Sequence, residues 1–561
     1  MYKVAATVVL LSLLLYYVLS NSKPNVKAPS QLLPHYDYVV VGAGSAGSVV
    51  AARLSEDSKT TVLLLEAGED GWRYPHRHIP GLVGSLPQTS IDWQYKTVPQ
   101  KYSCFGLHNQ QAFWTRGKVL GGTSILNYMV HTRGHKTDYD RWAKEFGCKG
   151  WSWEEVLPYF KKLESVQFPI DTQQRGINGL IRVTQTPSSK LGRALVMAAQ
   201  DIGFKFNPDY NSGDQEGTGI DETPPISRPT NEIGSSILGV SFAQISAAEG
   251  VRQSTFKSYL EPAMHRTNLH IITDALVAKL LFDDSKRTTG VEYSHSGRQF
   301  QIKAEKEVIV SGGAINSPQL LMLSGIGPRK HLEEMKISGV WSHPTVEKLL
   351  FFSSGLTGRQ SDLQIYYNPV PDPLPNRMVN MKDEVAAAQL GNVNGERYPF
   401  SMFSALNQGK SVGQIRLNSS DPFMHPILDP SYLKEQQDVD VLVKGLKVVY
   451  KWAKSEKLNN FHIELAEAEL PGCEKHQIMS DVWLQCVVRS RATTVYHYSS
   501  TCAMGPVGVK TAVVDTSLRV KGVKGLRVVD TSVFPTTVSG NTNIPVIMVA
   551  EKAADMIKQN M

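Results

Sequence analysis

The sequence predicts an α/β fold with a doubly wound sheet that is assembled from segments far apart in the chain. One apolar strand, residues 39–41, leads directly into Gly42-x-Gly44-x-x-Gly47 and a helical pattern. The same order of strand, glycine turn and helix recurs where a predicted strand at residues 306–310 runs into a second glycine turn. Apolar strands without alternation are typical of a parallel sheet covered on both faces. Together these observations predict a doubly wound sheet.

The first glycine turn predicts a dinucleotide-binding site. Gly42 permits a tight turn, Gly44 lets the backbone approach a pyrophosphate, and Gly47 lets the following helix pack close to the strand. A second strand, residues 61–65, ends in Glu66, about twenty residues beyond the glycines, where a carboxylate would accept hydrogen bonds from the adenosine ribose. These residues alone leave open whether the dinucleotide is FAD or NAD.

A second candidate cofactor contact lies at residues 116–127. Two adjacent glycines, Gly121 and Gly122, precede Thr123, Ser124 and an apolar run. Adjacent glycines followed by hydroxyl residues indicate backbone that wraps closely around a ligand before a helix begins.

Further elements follow from periodicity and turn residues. Strands are predicted at residues 269–273, 275–282, 290–292, 362–367, 414–417 and 525–532, helices at residues 142–163 (with a Ser152 cap), 438–454 and 543–557, and a long loop at residues 212–239. In the last helix, Asn543 is expected as the N-cap and Pro545 in the first turn.

Length and charge limit the class of protein. A chain of 561 residues is too long for one ordinary domain and suggests two or three. The formal net charge of +7 is spread along the chain without a run of Lys or Arg, so a nucleic-acid-binding protein is not indicated.

The N-terminus predicts a secretory route. Residues 1–22 contain Lys3, an apolar run and a small polar exit, which indicates a cleaved signal peptide, with an uncleaved membrane anchor as the alternative. Cys473 and Cys486 flank a short segment, and in an oxidising compartment they are expected to form a disulfide. Asn418 begins an N-glycosylation sequon that would be used on an exposed loop.

No metal site is predicted. The spacings of the five cysteines match no zinc motif, and His76 and His78 lack a third nearby ligand, which is typical of an exposed polar loop.

Three stretches carry a family resemblance: residues 117–127, residues 313–327 and residues 497–505. With the glycine turn, they make the chain resemble the glucose-methanol-choline (GMC) flavoprotein oxidoreductases, most closely the insect-type members named after glucose dehydrogenase. The resemblance implies a discontinuous Rossmann-like FAD-binding domain and an α+β substrate domain with an antiparallel sheet. By the same resemblance, the FAD-binding domain takes residues 36–150, 250–340 and 500–561, and the substrate domain takes residues 151–249 and 341–499.

The resemblance implies FAD as the cofactor and assigns candidate contacts along it. The adenosine end would be held by Gly42, Gly44, Gly47, Glu66 and Val277, the pyrophosphate by Asp530, and the flavin half by Gly122, Thr123 and Asn127. The helix that begins at Asn543 would direct its free N–H groups towards the reduced flavin ring, whose negative charge they would stabilise.

In the family reaction, a hydride passes from an alcohol carbon to the flavin while a histidine accepts the hydroxyl proton. His497 matches this base, and imidazole suits the task because its ordinary pKa lies close to working pH. Asn541 stands where the family places the partner that hydrogen-bonds the substrate oxygen. The expected function is oxidation of an alcohol or sugar CH–OH group, with quinone or oxygen as the electron acceptor. The oligomeric state stays open.

Several residues depart from the family pattern. Tyr498, Ser499 and Ser500 replace the proline and small residues that usually follow the histidine, and a family loop is absent after Thr345. These departures leave a second hypothesis, a catalytically degenerate secreted protein of the same fold with a binding role.

Overall fold

A computed structural model describes most of the chain: residues 26–186, 189–213, 215, 239–336, 340–341, 356–357, 362–368, 379–390, 400–407, 409–463 and 470–559. The predicted signal peptide, nearly all of the predicted loop at residues 212–239 and the segment that follows Thr345 lie outside the described residues.

A seven-stranded sheet organises the structure. Its strands are β1 (His35–Val41), β2 (Val62–Leu65), β3 (Leu269–Ile272), β4 (Ala275–Phe282), β5 (Thr288–His295), β6 (Arg298–Val310) and β7 (Leu526–Val528). The strand order is β3-β2-β1-β6, and these four strands run parallel. On its other side, β6 pairs in parallel with β7 near its end and antiparallel with the β4–β5 hairpin near its start. The predicted α/β fold is therefore confirmed, and its strands come from three distant segments.

Twelve α-helices occur among the described residues. In chain order, α1 to α12 are Ser45–Leu54, Thr123–Leu126, Lys136–Lys144, Trp153–Leu163, Lys190–Asp201, Glu261–Ala263, Gly313–Leu323, Arg329–Glu334, Asp383–Leu390, Gln436–Ala453, Asp481–Arg491 and Asn543–Lys558. Helix α1 packs against α12, so the first and last parts of the fold share one core. None of the helices in the described chain is long and apolar enough to cross a membrane.

The parallel strands end at the same edge of the sheet. Val39 and Val40 pair with Leu63 and Leu64 on one side and with Val308 and Ile309 on the other, and all six side chains are buried. Directly after these pairs, Gly42 N donates to Leu65 O at 2.7 Å and Ser311 N donates to Val41 O at 2.7 Å. Both glycine turns therefore emerge together at the carboxyl edge, where doubly wound sheets bind their ligands.

A second region is built from short strands, largely antiparallel. They are Tyr95–Lys96, Phe113–Trp114, Glu164–Val166, Ile181–Gln185, Lys205–Phe206, Gly239–Val240, Gln244–Ile245, Ala247–Ala248, Val251–Arg252, Ile326–Gly327, Val340–Trp341, Leu363–Asn368, Ser401–Leu406, Gln414–Arg416 and Ile427–Asp429. The hairpin of Leu363–Asn368 and Ser401–Leu406 packs against α10. This hairpin faces the carboxyl edge of the main sheet across the cavity described below.

The single helix predicted at residues 142–163 is wrong, because the structure divides this stretch into α3 and α4. Gly147 and Gly150 lie between the two helices with φ of 67° and 88°. Backbone in this region is incompatible with a right-handed helix, so the chain must turn there. Ser152 does begin α4, and the Glu155 carboxylate accepts hydrogen bonds from the Ser152 backbone N–H at 2.9 Å and hydroxyl at 2.7 Å.

The predicted N-cap of the last helix is wrong by one residue. Thr542 is the N-cap of α12, and Asn543 is already its first residue. The side chain of Asn543 is used differently: its Oδ1 accepts a hydrogen bond from Ser45 Oγ at 2.7 Å. Asn543 therefore joins the start of α12 to the start of α1. Pro545 lies in the first turn as predicted.

The predicted disulfide between Cys473 and Cys486 is present, with 13 residues of sequence separation. Replacing both cysteines with serine is expected to lower the free energy of unfolding by about 3 kcal/mol, since a cross-link of this loop length restricts the unfolded chain. Urea denaturation of the wild type and the double variant measures the difference. A reducing agent should lower the wild-type midpoint and leave that of the variant unchanged. Equal midpoints for the oxidised wild type and the variant would contradict this expectation.

Candidate cofactor and substrate site

A continuous cavity of about 1180 Å³ opens at the carboxyl edge of the sheet. Every predicted site residue except Gly47 lines it: Gly42, Gly44, Glu66, Gly122, Thr123, Asn127, Val277, His497, Asp530, Asn541 and Asn543. Residues that are up to 501 positions apart by their numbers, from Gly42 to Asn543 (543 − 42), thus share one wall. The fold brings the predicted cofactor contacts and the predicted catalytic pair to the wall of the same cavity.

The first glycine turn is tightly packed behind the cavity. Gly42 has a φ of 96°, and a Cβ added to it would lie 2.6 Å from the carbonyl oxygen of Ser311. A Cβ on Gly47 would lie 1.9 Å from the carbonyl oxygen of Gly42. Gly47 therefore does not face the cavity. Its missing side chain lets α1 begin directly against the turn.

The second glycine segment rests on the first. Gly121 N donates to Ala43 O at 2.8 Å, and a Cβ on Gly122, whose φ is 52°, would lie 2.5 Å from Gly44 Cα. Thr123 Oγ1 accepts a hydrogen bond from Gly117 N at 3.1 Å and fixes the start of α2. The two motifs, separate in sequence, form one glycine-lined cradle.

Glu66 is buried at the end of β2 and holds the glycine turn. Its Oε2 accepts from Ala43 N and its Oε1 accepts from Gly68 N, both at 2.8 Å. Burial raises the pKa of the Glu66 carboxyl to about 7, although the two backbone N–H groups oppose the shift. Part of the side chain also lines the cavity.

Asp530 stabilises the glycine turn between β6 and α7. Its Oδ2 accepts from Gly313 N at 2.9 Å and from Ser317 Oγ at 2.6 Å, and burial raises the pKa of this carboxyl. Gly313 has a φ of 82°, and a Cβ there would meet no atom within 4 Å. Gly313 also lines the cavity, so a bound molecule could approach its backbone closely.

The remaining predicted cofactor residues lie along the wall. Asn127 Oδ1 accepts from Met129 N at 3.0 Å and from Arg252 Nη1 at 2.9 Å, which fixes its orientation. Val277 lies in β4, close to Glu66 across the edge of the sheet, and lines the cavity near that end.

His497 and Asn541 meet at another part of the cavity. Asn541 Nδ2 lies 3.1 Å from His497 Nε2, and Tyr366 Oη lies 3.5 Å from Asn541 Oδ1. Burial, and secondarily the positive charge of Arg116, lower the pKa of His497 to about 3. His497 is therefore a neutral imidazole at ordinary pH. Its Nδ1 is buried and has no hydrogen-bond partner within the described chain.

Sequence reasoning missed three residues that hold the histidine segment. Arg116 Nη1 donates to Tyr496 O at 2.9 Å, and its guanidinium lies 5.1 Å from the ring centroid of Tyr498. Tyr498 stacks on Trp114 with centroids 3.7 Å apart. Arg116 directly precedes the second glycine motif, so its position in the sequence could have marked it as a site residue. No sequence pattern could have indicated the Trp114–Tyr498 stack, because the two residues meet only in the fold.

The described residues contain no group of three or more His, Cys, Asp or Glu residues that could hold a metal ion.

The cavity fits an extended dinucleotide. Three glycine segments, at residues 42–47, 121–122 and 312–313, contribute to its wall together with the buried carboxylates of Glu66 and Asp530. A neutral histidine paired with an asparagine lines the same cavity. This combination of fold and site defines a dinucleotide-dependent oxidoreductase of the doubly wound α/β class.

Comparison with known proteins specifies the family. GMC oxidoreductase family models match residues 36–352 and 409–550. The glucose dehydrogenase [FAD, quinone] of Drosophila pseudoobscura pseudoobscura is 35% identical, with 93% of this chain and 87% of the relative covered. The mitochondrial choline dehydrogenase of Homo sapiens is 35% identical, with 95% and 91% covered. The chain belongs to the GMC oxidoreductase family.

Solved structures support the same fold. Pyridoxine 4-oxidase from Mesorbium loti superposes with a TM-score of 0.74 at 26% identity, covering 93% of this chain and 99% of that one. Formate oxidase from Aspergillus oryzae, solved in work on FAD modification, superposes with a TM-score of 0.73 at 22% identity, covering 94% and 98%. The family assignment confirms FAD as the predicted cofactor.

Proposed function

We propose that the protein oxidises a CH–OH group of a small alcohol or sugar with FAD and passes the electrons to quinone or oxygen. The observation that carries the proposal is the pairing of His497 with Asn541 in the wall of the cavity that the glycine cradle also lines. The named activities of the glucose, choline and alcohol dehydrogenase relatives are consistent with this reaction.

The glycine cradle and two carboxylates would hold the cofactor. Glu66 and Val277 are proposed to bind the adenosine end, because both residues line the cavity and Glu66 directly follows β2. Gly42, Gly44 and Gly313 leave backbone open for the pyrophosphate, and Asp530 orients the Gly313 N–H. Gly122, Thr123, Asn127 and Asn543 would contact the flavin half.

His497 and Asn541 have different proposed roles at the substrate hydroxyl. His497 is held neutral by burial, so an imidazole nitrogen is available to accept the hydroxyl proton. Asn541 would donate its amide N–H to the substrate oxygen and fix its position. FAD, when bound, supplies the acceptor for the hydride. Arg116 keeps His497 in place through Tyr496 and Tyr498, and its positive charge further disfavours a protonated imidazole.

The absorption spectrum of the purified protein tests the proposal. A flavin spectrum that bleaches under anaerobic addition of an alcohol or sugar supports the enzyme. Exposure of the reduced protein to oxygen or a quinone then identifies the acceptor by the rate at which the flavin colour returns.

The degenerate binding protein is the second candidate, favoured by the departures at Tyr498, Ser499 and Ser500. Tyr498 fills space beside Trp114 next to the base, and Ser499 and Ser500 are buried. A folded protein that binds FAD without reduction by any alcohol, or that is colourless, would favour this alternative over the enzyme.

Cofactor affinity is expected to depend on pH through Glu66. The carboxylate must be ionised to accept hydrogen bonds from the ribose, yet its pKa in the cofactor-free protein is raised to about 7. Below that pH, binding must also release a proton, so lowering the pH from 8 to 6 should weaken FAD binding about tenfold. Fluorescence titration of the apoprotein measures this. Glu66→Gln should bind FAD more weakly with a nearly flat pH profile, and a slope unchanged in the variant would rule Glu66 out as its source.

A secretory destination is part of the proposal. The Cys473–Cys486 disulfide supports it, because such bonds persist in oxidising compartments. Asn418 is exposed, as a glycosylation acceptor must be. N-terminal sequencing of the secreted protein would distinguish a cleaved signal peptide from a retained membrane anchor.

A further inference from the structure

Arg491 is a second cation in the cavity wall, and the proposed reaction does not use it. It is the last residue of α11, and from there the chain lines the cavity continuously through His497. Six residues of extended chain span at most about 20 Å. The Cα atoms of Arg491 and His497 are therefore at most about 20 Å apart, and both residues line the same cavity, which an elongated ligand could span.

The charge of Arg491 has no counter-charge among the described residues. Its Nε and Nη2 atoms are buried and have no hydrogen-bond partner there. Burial lowers the pKa of the guanidinium to about 10, with no carboxylate opposing the shift. Arg491 as a whole is partly buried. Arg133 and Arg175, which are fully buried, show the contrast because both pair with the Glu164 carboxylate. An unpaired buried cation is costly, so a site that retains one favours an anionic occupant.

The described carboxylates that line the cavity are engaged by the backbone. Glu66 and Asp530 hold the glycine turns, and Asp438 accepts from Lys410 N at 2.6 Å and from Ser411 N at 2.8 Å. Arg116 also lines the cavity, so a cationic alcohol such as choline, whose dehydrogenase is a relative, would meet like charge near Arg116 and Arg491.

Four apolar residues of α10 and α11 line the cavity. Leu442 and Leu446 are one turn apart on α10, and Val487 and Val488 precede Arg491 on α11. Val487 and Arg491 have the i, i+4 spacing that places them on the same face of the helix. This part of the cavity therefore joins an apolar surface to a single cation, which suits the tail of a carboxylic acid.

We propose that the substrate is a hydroxycarboxylic acid with an apolar chain, whose carboxylate pairs with Arg491 while its hydroxyl lies at His497 and Asn541. The inference rests on the proposed function and narrows its substrate class. In the reaction, the CH–OH carbon loses a hydride to FAD and its hydroxyl proton goes to His497, so the product is the corresponding oxo acid. The carboxylate is unchanged and fixes the orientation of the chain.

The test compares each acid with an uncharged alcohol of the same length. The probes are ω-hydroxyhexanoate with hexanediol and ω-hydroxydecanoate with decanediol. Anaerobic flavin reduction gives the ratio of kcat/KM for acid over diol, and thermal unfolding of the holoenzyme gives the rise in Tm that each probe causes. For at least one length, the acid should be favoured at least about tenfold and should raise Tm more than the diol does.

Arg491→Met and Arg491→Gln remove the charge and should bring the ratio close to one, with the extra rise in Tm lost. Arg182→Met, at an exposed ion pair, is the matched control and should keep the wild-type ratio. Replacing a buried unpaired charge with an apolar side chain should not lower the Tm of the protein without probe.

The outcomes separate the two proposals. A wild-type ratio near one at both lengths, or a preference that persists in both Arg491 variants, overturns the anion site. If no alcohol reduces the flavin but an acid still raises Tm through Arg491, the anion site stands and the proposed oxidation is wrong. If the diols reduce the flavin and the acids show neither a higher kcat/KM nor a larger rise in Tm, the proposed oxidation stands and the anion site is wrong.

Discussion

Replacing His497 with alanine is expected to leave FAD bound and to slow flavin reduction by about 10²–10⁴-fold, the usual contribution of a positioned general base. The physical reason is specific to the site. Burial, together with the positive charge of Arg116, keeps the imidazole neutral, and its Nε2 meets Asn541 at the cavity wall. Removing the ring takes away the proton acceptor without touching the glycine cradle. Stopped-flow measurement of flavin reduction, with the flavin spectrum as the measure of cofactor content, gives both quantities.

The pH profile adds an independent check on the base. A histidine accepts a proton only above its pKa, and the pKa of His497 is lowered to about 3. Protonation of His497 should therefore not limit the rate between pH 5 and pH 8. His265→Ala, at an exposed histidine, is the matched control and should behave as the wild type. Flavin reduction at the wild-type rate in His497→Ala would refute the assignment of the base.

Replacing Gly47 with alanine is expected to abolish cofactor binding and to destabilise the fold by at least about 3 kcal/mol, since the added methyl cannot be accommodated. Its Cβ would lie 1.9 Å from the carbonyl oxygen of Gly42 and 3.1 Å from Ser311 Cβ, so the closest clash is with backbone, which cannot yield as the end of a flexible side chain could. Helix α1 would have to move away from β1 and disturb the turn that approaches the pyrophosphate. The flavin absorbance per protein and the denaturation midpoint measure the two effects.

Gly508→Ala provides the matched control for that substitution. Gly508 is exposed, and an added Cβ would meet no atom within 4 Å. It should therefore bind FAD and unfold as the wild type does. A yellow, stable Gly47→Ala protein would show that the turn is not the cofactor cradle proposed above.

The glycine turn, Glu66 and the parallel strands could be predicted because their requirements are local. A tight turn with positive φ at Gly42 and a close helix start at Gly47 must be encoded in neighbouring residues. A run of apolar β-branched residues likewise predicts, from neighbouring residues alone, a strand that is buried on both faces. The Cys473–Cys486 pair was also predictable, since only a short segment separates the two residues.

Local patterns gave the boundaries of helices less well. The apolar periodicity at residues 142–163 continued across Gly147 and Gly150, and only their positive φ values in the fold divide it into α3 and α4. Likewise, Asn543 has the chemistry of an N-cap, but a hydrogen bond from Ser45 takes its side chain. In both places the competing conformation or partner could not be seen in the neighbouring sequence.

Family resemblance, rather than residue chemistry, singled out His497 and Asn541, and the structure places them 3.1 Å apart although 44 residues separate them. Their cofactor and catalytic roles stay predictions until the variants are measured.

The sequence by itself determined the strand–glycine turn–helix units and the family, because these depend on short stretches of backbone conformation and residue type. Only the tertiary structure decided that Arg116 supports the histidine segment from 380 residues away and that Arg491 lacks a counter-charge among the described residues. The physical reason is that electrostatic pairing, stacking and burial depend on distances in space. Those distances are set by how the parallel sheet brings remote segments together at its carboxyl edge.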